Sequence, residues 1–258
     1  MAIVAVSPHL DDAALSASVW LHGVNATVLT VFAGMPATGF TTSLWDRLTG
    51  ASTSAGRLAE RRAEDAAVMS LLSARGRYLD EREIQYRQDE PAPDIDRLAG
   101  RITEHLIGAD EVWLPAAIGR NPDHVLVRDA GLLAAAAAGH GDVVFYADFP
   151  YVITYGWPAW VSGQQADPYL NPEIWIAEQF AAAGLDAPIR SAEVARLSSA
   201  QRATKTAIIA AYRTQASALG LTAAALAREP DKLDFELCWR LTLAAVPADP
   251  DGGGVPAV

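Results

Sequence analysis

Apolar positions follow two rhythms along the first half of the chain. Ala2 to Val6 (AIVAV) is a continuous apolar run of strand length that breaks at SPHLDD, and Ala26 to Phe32 (ATVLTVF) is a second run, rich in β-branched residues. Glu111 to Pro115 (EVWLP) and Asp142 to Tyr146 (DVVFY) repeat the short pattern, and Arg82 to Tyr86 is a weaker strand candidate. Helical stretches lie between them: Ala13 to His22 closed by Gly23, Arg57 to Ser73, Ile95 to Ile107 between Pro93 and Gly108, and His124 to Ala138 closed by Gly139. Strands alternating with helices of this length predict βαβ units. The expectation is an α/β fold: a Rossmann-like, doubly wound, mainly parallel sheet of order 3-2-1-4-5 with helices on both faces.

The pattern changes after Phe149. Pro150, Pro158, Pro168 and Pro172, set among many aromatic residues, predict an irregular region over the active-site end of the sheet. A helix is expected from Ser199 to Leu219. No repeat or linker divides the chain, so residues 1–248 read as a single domain and the Gly- and Pro-rich residues 249–258 as a disordered tail.

Composition narrows the function classes. Of 258 residues, 51% are hydrophobic and 20% charged, enough apolar surface for a packed core. Acidic residues outnumber basic ones 31 to 20, and the net charge of −11 disfavours nucleic acid and anionic membranes as partners. The single cysteine, Cys238, excludes an intrachain disulfide and a cysteine-rich zinc site. The start, MAIVAVSPHLDD, lacks the basic region of a secretion signal. The longest apolar run, Leu132 to Ala138, is too short to span a bilayer. The reading is a cytoplasmic protein acting on a small molecule, with a homo-oligomer left open.

The chemistry concentrates where the first strand ends, at Pro8-His9-Leu10-Asp11-Asp12. Ligands of open α/β sheets bind outside the carboxyl ends of the strands. His9 and Asp12, three apart, fall on one side of a turn, and imidazole nitrogen with carboxylate oxygen suits zinc, which needs a third protein ligand and an open position. Among the five histidines, His124 alone follows a neighbouring strand, in Gly119-Arg120-Asn121-Pro122-Asp123-His124; His22, His105 and His140 sit near predicted helix ends. The competing reading of the first motif is a helix N-cap supplied by Asp11 or Asp12.

Pro8-His9-x-Asp11-Asp12 with Leu15-Ser16, and later Pro122-Asp123-His124, resemble the PIG-L/LmbE-like family of metal-dependent N-acetylglucosaminyl deacetylases. Arg61-x-x-Glu64 looks like that family's Arg-x-x-Glu element, and Lys205, Tyr212 and Gln215 like its C-terminal Lys…Tyr-x-x-Gln segment. The resemblance implies one divalent metal, Zn²⁺, on His9, Asp12 and His124, with Asp11 as general base. It also exposes a departure. Family members usually read His-Pro-Asp-His, and Asn121 stands at the first histidine here. Gly119 stands where the mycothiol-pathway member has a tyrosine. An asparagine donates a hydrogen bond to an oxyanion but delivers no proton at neutral pH. The acid role then falls to protonated Asp11 or to another residue such as Tyr151.

The implied reaction is hydrolytic removal of an N-acetyl or other N-acyl group from an amino-sugar-containing molecule, such as a glycosylated natural product or a thiol precursor. Metal polarises the acyl carbonyl and activates water, Asp11 accepts the water's proton, and Asn121 donates to the oxyanion. Ser16, Arg61, Asp148 and Tyr151 are the substrate-binding candidates, with Tyr146, Tyr155 and Trp157 in the same aromatic-acidic stretch. For Arg61 the alternative is a salt bridge to Glu64. Two other functions compete: an amidase on another N-acyl or thiol-conjugate substrate, and a catalytically weakened sugar-binding homologue. A nucleotide-dependent transferase is disfavoured, because neither G-x-G-x-x-G nor a P-loop follows the first strand.

Overall fold

Val4, Ala5 and Val6 are buried on a strand flanked by neighbours on both sides, which explains why the run is apolar at every position rather than at alternate ones. The computed structural model describes residues 1–88, 90–155, 157–163, 177–178, 180–181 and 192–243. The strands are β1 (Ala2–Ser7), β2 (Asn25–Thr30), β3 (Arg75–Tyr78), β4 (Glu111–Pro115), β5 (Asp142–Tyr146), β6 (Ala192–Arg196) and β7 (Phe235–Thr242). They form one sheet of order β3-β2-β1-β4-β5-β7-β6. The first five pair in parallel and keep the expected 3-2-1-4-5 order; β7 is antiparallel to β5, and β6 to β7.

Three expectations need correction. The third strand is Arg75–Tyr78, not Arg82 to Tyr86, and Ile84–Arg87 is a short helix. RGRY is a polar edge strand with exposed side chains, so it carries no apolar signature. The second half is not merely irregular, because β6 and β7 extend the sheet. The helix expected over 199–219 breaks at Tyr212. Pro168, Pro172 and the predicted tail 249–258 lie outside the described residues.

The helices are α1 (Asp12–Ser16), α2 (Ser18–Leu21), α3 (Leu44–Leu48), α4 (Ser54–Leu72), α5 (Ile84–Arg87), α6 (Ile95–Leu106), α7 (Pro122–Ala137), α8 (Phe149–Tyr155), α9 (Ala159–Ser162), α10 (Ser199–Ala211), α11 (Arg213–Ala216) and α12 (Ala223–Arg228). Their starts follow local chemistry. The Thr53 hydroxyl accepts from Gly56 N–H at the head of α4, and Ser198 with Gln201 forms a capping box on α10. Asn121 caps α7, with Pro122 in the first turn, where a missing N–H costs nothing. No helix among the described residues is long and apolar enough to cross a membrane.

Inside this frame lies a buried ion pair. Lys205 Nζ on α10 is 2.7 Å from Glu236 Oε1 on β7, and both side chains are fully buried. Glu236 also accepts from Ser18 Oγ and the Val19 N–H, at 2.5 and 2.9 Å, while Lys205 lies 3.9 Å above the Phe149 ring. Burial lowers the pKa of Lys205, against the pull of Glu236. The pair joins α2, α8, α10 and β7, so one network fixes the helix after the first motif and the segment after β5.

Candidate metal centre

β1 and β4 are adjacent, and the chain leaves their carboxyl ends toward opposite sides of the sheet, opening a crevice between the two loops. The first loop is pinned at almost every peptide group. Ser7 Oγ donates to the His9 carbonyl at 2.6 Å and accepts from Ala13 N–H at 3.0 Å. Phe32 N–H holds the Pro8 carbonyl, and Tyr212 OH holds that of Leu10. The second loop turns on Ala117, Gly119 and Arg120, with φ of 61°, 97° and 55°. That left-handed stretch delivers Asn121 to the head of α7, so His124 lies in the helix's first turn and faces back to β1.

His9, Asp12 and His124 meet in this crevice, with one ligand atom from each lying within 4.8 Å of the others. Asp12 Oδ2 is 3.1 Å from His9 Nδ1 and 3.2 Å from His124 Nε2. The remote nitrogen of each ring is held by a buried carboxylate. His124 Nδ1 is 2.6 Å from Asp148 Oδ1, and His9 Nε2 is 3.2 Å from Asp123 Oδ2. Asp148 is fixed in turn by Ile118 N–H, and Asp123 by Ile84 N–H and Arg87 Nη2. Carboxylates behind imidazoles set the tautomer and ring orientation for metal binding. His124 Nε2 is buried and, although 3.2 Å from Asp12 Oδ2, makes no aligned hydrogen bond, as a nitrogen turned toward a shared ligand would. The donor set therefore fits a divalent metal, and none of the other three histidines joins a metal-ligand group among the described residues.

The N-cap alternative does not hold, because neither Asp11 nor Asp12 caps α1 through its side chain; Asp12 Oδ2 accepts from the backbone of His9 instead. The Asp11 carboxylate accepts no hydrogen bond among the described residues. Its nearest cation is Arg61 Nη2, 3.9 Å away, and it faces a cavity of about 290 Å³. Burial, reinforced by the charge of Asp12, pushes its pKa up to about 6. Burial also works against charge on the other members of the cluster. At His124 it is overcome by the negative charge of Asp12 and by the charge and hydrogen bond of Asp148, which raise the ring to about 9. Bonds to Asp12 and Asp123 likewise raise His9 well above its ordinary value, and the two imidazoles hold Asp12 well below its own.

The remaining candidates separate. Tyr151 and Asn121 line the cavity and touch each other, Asn121 Nδ2 donating to Tyr151 OH at 3.1 Å. Arg61 also lines it, but its charge is engaged by Glu83. Nor does it pair with Glu64, which binds Thr214 and Arg213. Ser16 and Asp148 do not reach the cavity. Ser16 Oγ accepts from Phe149 N–H, and Asp148 is fully buried behind His124. Tyr146 donates to the Val6 carbonyl from within the core. Sequence reasoning assigned nothing to Glu83, Trp45 or Arg87. Their partners, Arg61, Gln215 and Asp123, are 22, 170 and 36 residues away, a relationship no local spacing reveals.

No family model matches the chain. A 2'-N-acetylparomamine deacetylase from Streptomyces fradiae is 32% identical over 166 residues, 57% of this chain, and the match spans 56% of that relative's length. A deacetylase of the teicoplanin biosynthetic pathway superposes with a TM-score of 0.70 at 24% identity, covering 94% of this chain and 99% of its own. The pseudoaglycone deacetylase of a further antimicrobial gives a TM-score of 0.65 at 27% identity, over 95% and 98% of the two chains.

Proposed function

We propose that this chain, which has the fold of the PIG-L/LmbE-like deacetylases, is a metal-dependent hydrolase that removes an N-acetyl or other N-acyl group from an amino-sugar-bearing small molecule. The observation that carries the reading is the joining of His9, Asp12 and His124, both imidazoles backed by buried carboxylates, beside an Asp11 carboxylate that accepts no hydrogen bond among the described residues. Zn²⁺ on these three residues would polarise the acyl carbonyl and lower the pKa of water.

The chain's own groups do the rest. Asp11 accepts a proton from the attacking water as its oxygen bonds to the acyl carbon. A pKa near 6 suits a group that must take that proton and give it up again. As the C–N bond breaks, Asp11 passes the proton to the departing nitrogen, so no histidine is needed at position 121. The products are a carboxylate and a free amine. Asn121 and Tyr151 line the same cavity, and in this reading they would border the acyl oxygen as it gains charge. The similarity to a 2'-N-acetylparomamine deacetylase and to the deacetylase of an antimicrobial pseudoaglycone supports an amino-sugar substrate over a simple amide.

The test is release of acetate from a panel of N-acetylated amino sugars, run alongside metal analysis. Turnover that chelation abolishes and zinc restores is expected. A metal-loaded protein inert across the panel, yet binding one of its sugars, would favour the noncatalytic sugar-binding reading.

A further inference from the structure

Asn121 and Tyr151 both line the cavity and can donate to the acyl oxygen, and the hydrogen bonds each already makes distinguish them. Asn121 Oδ1 accepts from the Asp123 backbone N–H at 2.9 Å. A backbone N–H only donates, so the oxygen of the amide must face it and the NH₂ must face Tyr151. Tyr151 OH therefore accepts from Asn121, at 3.1 Å. Its own proton finds no acceptor among the described residues, and the hydroxyl opens on the cavity beside His9, Asp11 and Asp12. Asn121, by contrast, is fixed at both ends: its oxygen caps α7 and one of its two amide protons holds the phenol, so its plane is set by these two bonds.

The ring is held as firmly as the hydroxyl. It stands edge-on to His124, with ring centroids 5.4 Å apart. It also lies on the backbone of Gly119, where a Cβ would come within 2.3 Å of Tyr151 Cδ1. Position 119 must stay free of a side chain for the ring to occupy this place. Tyr151 N–H bonds to the Asp148 carbonyl, so the residue that orients His124 also anchors the turn carrying the phenol.

We propose that Tyr151 is a catalytic residue, the hydrogen-bond donor to the acyl oxygen as it gains charge, and that Asn121 is the positioning residue that aims it. The proposal rests on the acyl-hydrolase reading. Tyr151 donates without giving up its proton, because a phenol, with an ordinary pKa of about 10, stays protonated at neutral pH. Donors fixed in place before reaction stabilise an oxyanion at no cost of reorganisation.

The experiment uses the zinc-loaded protein and three variants, Tyr151→Phe, Asn121→Ala and the double variant. The probes are the amino sugar of the panel that the parent hydrolyses, glucosamine, and glucosamine carrying an N-methylphosphonyl group as a tetrahedral mimic. Tyr151→Phe should lower kcat by about 10²–10³ with KM little changed. It should weaken binding of the phosphonyl probe by a similar factor, and leave glucosamine affinity and zinc content at the parental level. Asn121→Ala should lower kcat by less, and the double variant should be no worse than Tyr151→Phe, because a positioning residue has no effect once its target is gone. If Tyr151→Phe keeps parental kcat and probe affinity, the assignment is overturned while the hydrolase reading stands. If the double variant shows the sum of both losses, Asn121 acts on its own and its positioning role is overturned. A parent that releases no acetate and binds the phosphonyl probe no tighter than glucosamine would sink both.

Discussion

His124 and Asp148 share a hydrogen bond of 2.6 Å with both side chains sealed from solvent. Asp148 Oδ2 is already engaged by Ile118 N–H, so the carboxylate cannot turn away from the ring. Asp148→Asn keeps the shape but gives up one of these two bonds. Metal affinity should fall by about 10–100-fold, measured by competition with a chelator. Parental affinity in the variant would reduce Asp148 to a packing role.

Ligand and base should part under mutation. His9→Ala and His124→Ala should lose the metal, because each removes one of the donor atoms grouped within 4.8 Å. Asp11→Asn should retain it and lose turnover by about 10²–10⁴. Metal analysis together with kcat separates these outcomes, and full occupancy in either histidine variant would contradict the ligand assignment.

Asp65 on α4 should give stability an unusual pH dependence. Tyr78 and Tyr212 donate to its two oxygens, yet Tyr212 OH also lies 2.8 Å from the Leu10 carbonyl and has one proton for two acceptors. A proton on Asp65 resolves that shortage, and burial raises its pKa from 3.8 to about 6. A raised folded-state value means the contribution is fully present below 3.8 and is lost as pH rises through about 6. The amount is on the order of 3 kcal/mol. Urea midpoints of Asp65→Asn and the parent, followed between pH 4 and 7, should show the variant losing more stability on acidification. Parallel curves would show that Asp65 ionises normally.

The Lys205–Glu236 pair predicts a large penalty for removing one charge. Lys205→Met strands Glu236 in a site with no water contact, and such losses cost about 3–5 kcal/mol. Adding Glu236→Gln should recover part of this, because the amide oxygen can still accept from Ser18 or Val19. Chemical denaturation of the single and double variants measures both effects, and a double variant weaker than the single one would contradict the account.

The parallel half of the sheet was legible because its buried strands are continuous apolar runs, and the grouping of His9, Asp12 and His124 was legible because the first two stand three apart and the third follows the adjacent strand. Other parts depend on distant partners. β7 reads FELCWRLT, and its Glu236 looks misplaced in a strand until Lys205, 31 residues earlier, is seen to neutralise it. β3 is a polar edge, stabilised by pairing with β2 rather than by burial. The backing of His9 by Asp123 spans 114 residues, and the tie of Tyr212 to the Leu10 carbonyl spans 202. Asn121 was legible as a departure, but not its two bonds, because these depend on where α8 brings Tyr151.

The two halves of the ligand set follow β1 and β4, and the carboxylate behind His124 follows β5. An ion held there recognises only a chain in which all three strands stand in their final register, and no unfolded or half-assembled form offers the same donors at the same spacing. Occupancy and global folding are therefore thermodynamically linked. An ion at a thousandfold excess over its Kd adds about 4 kcal/mol to the folded state, so heat denaturation should move upward with free metal concentration. Melting temperature thus becomes a gauge of the site's affinity that requires no knowledge of the substrate.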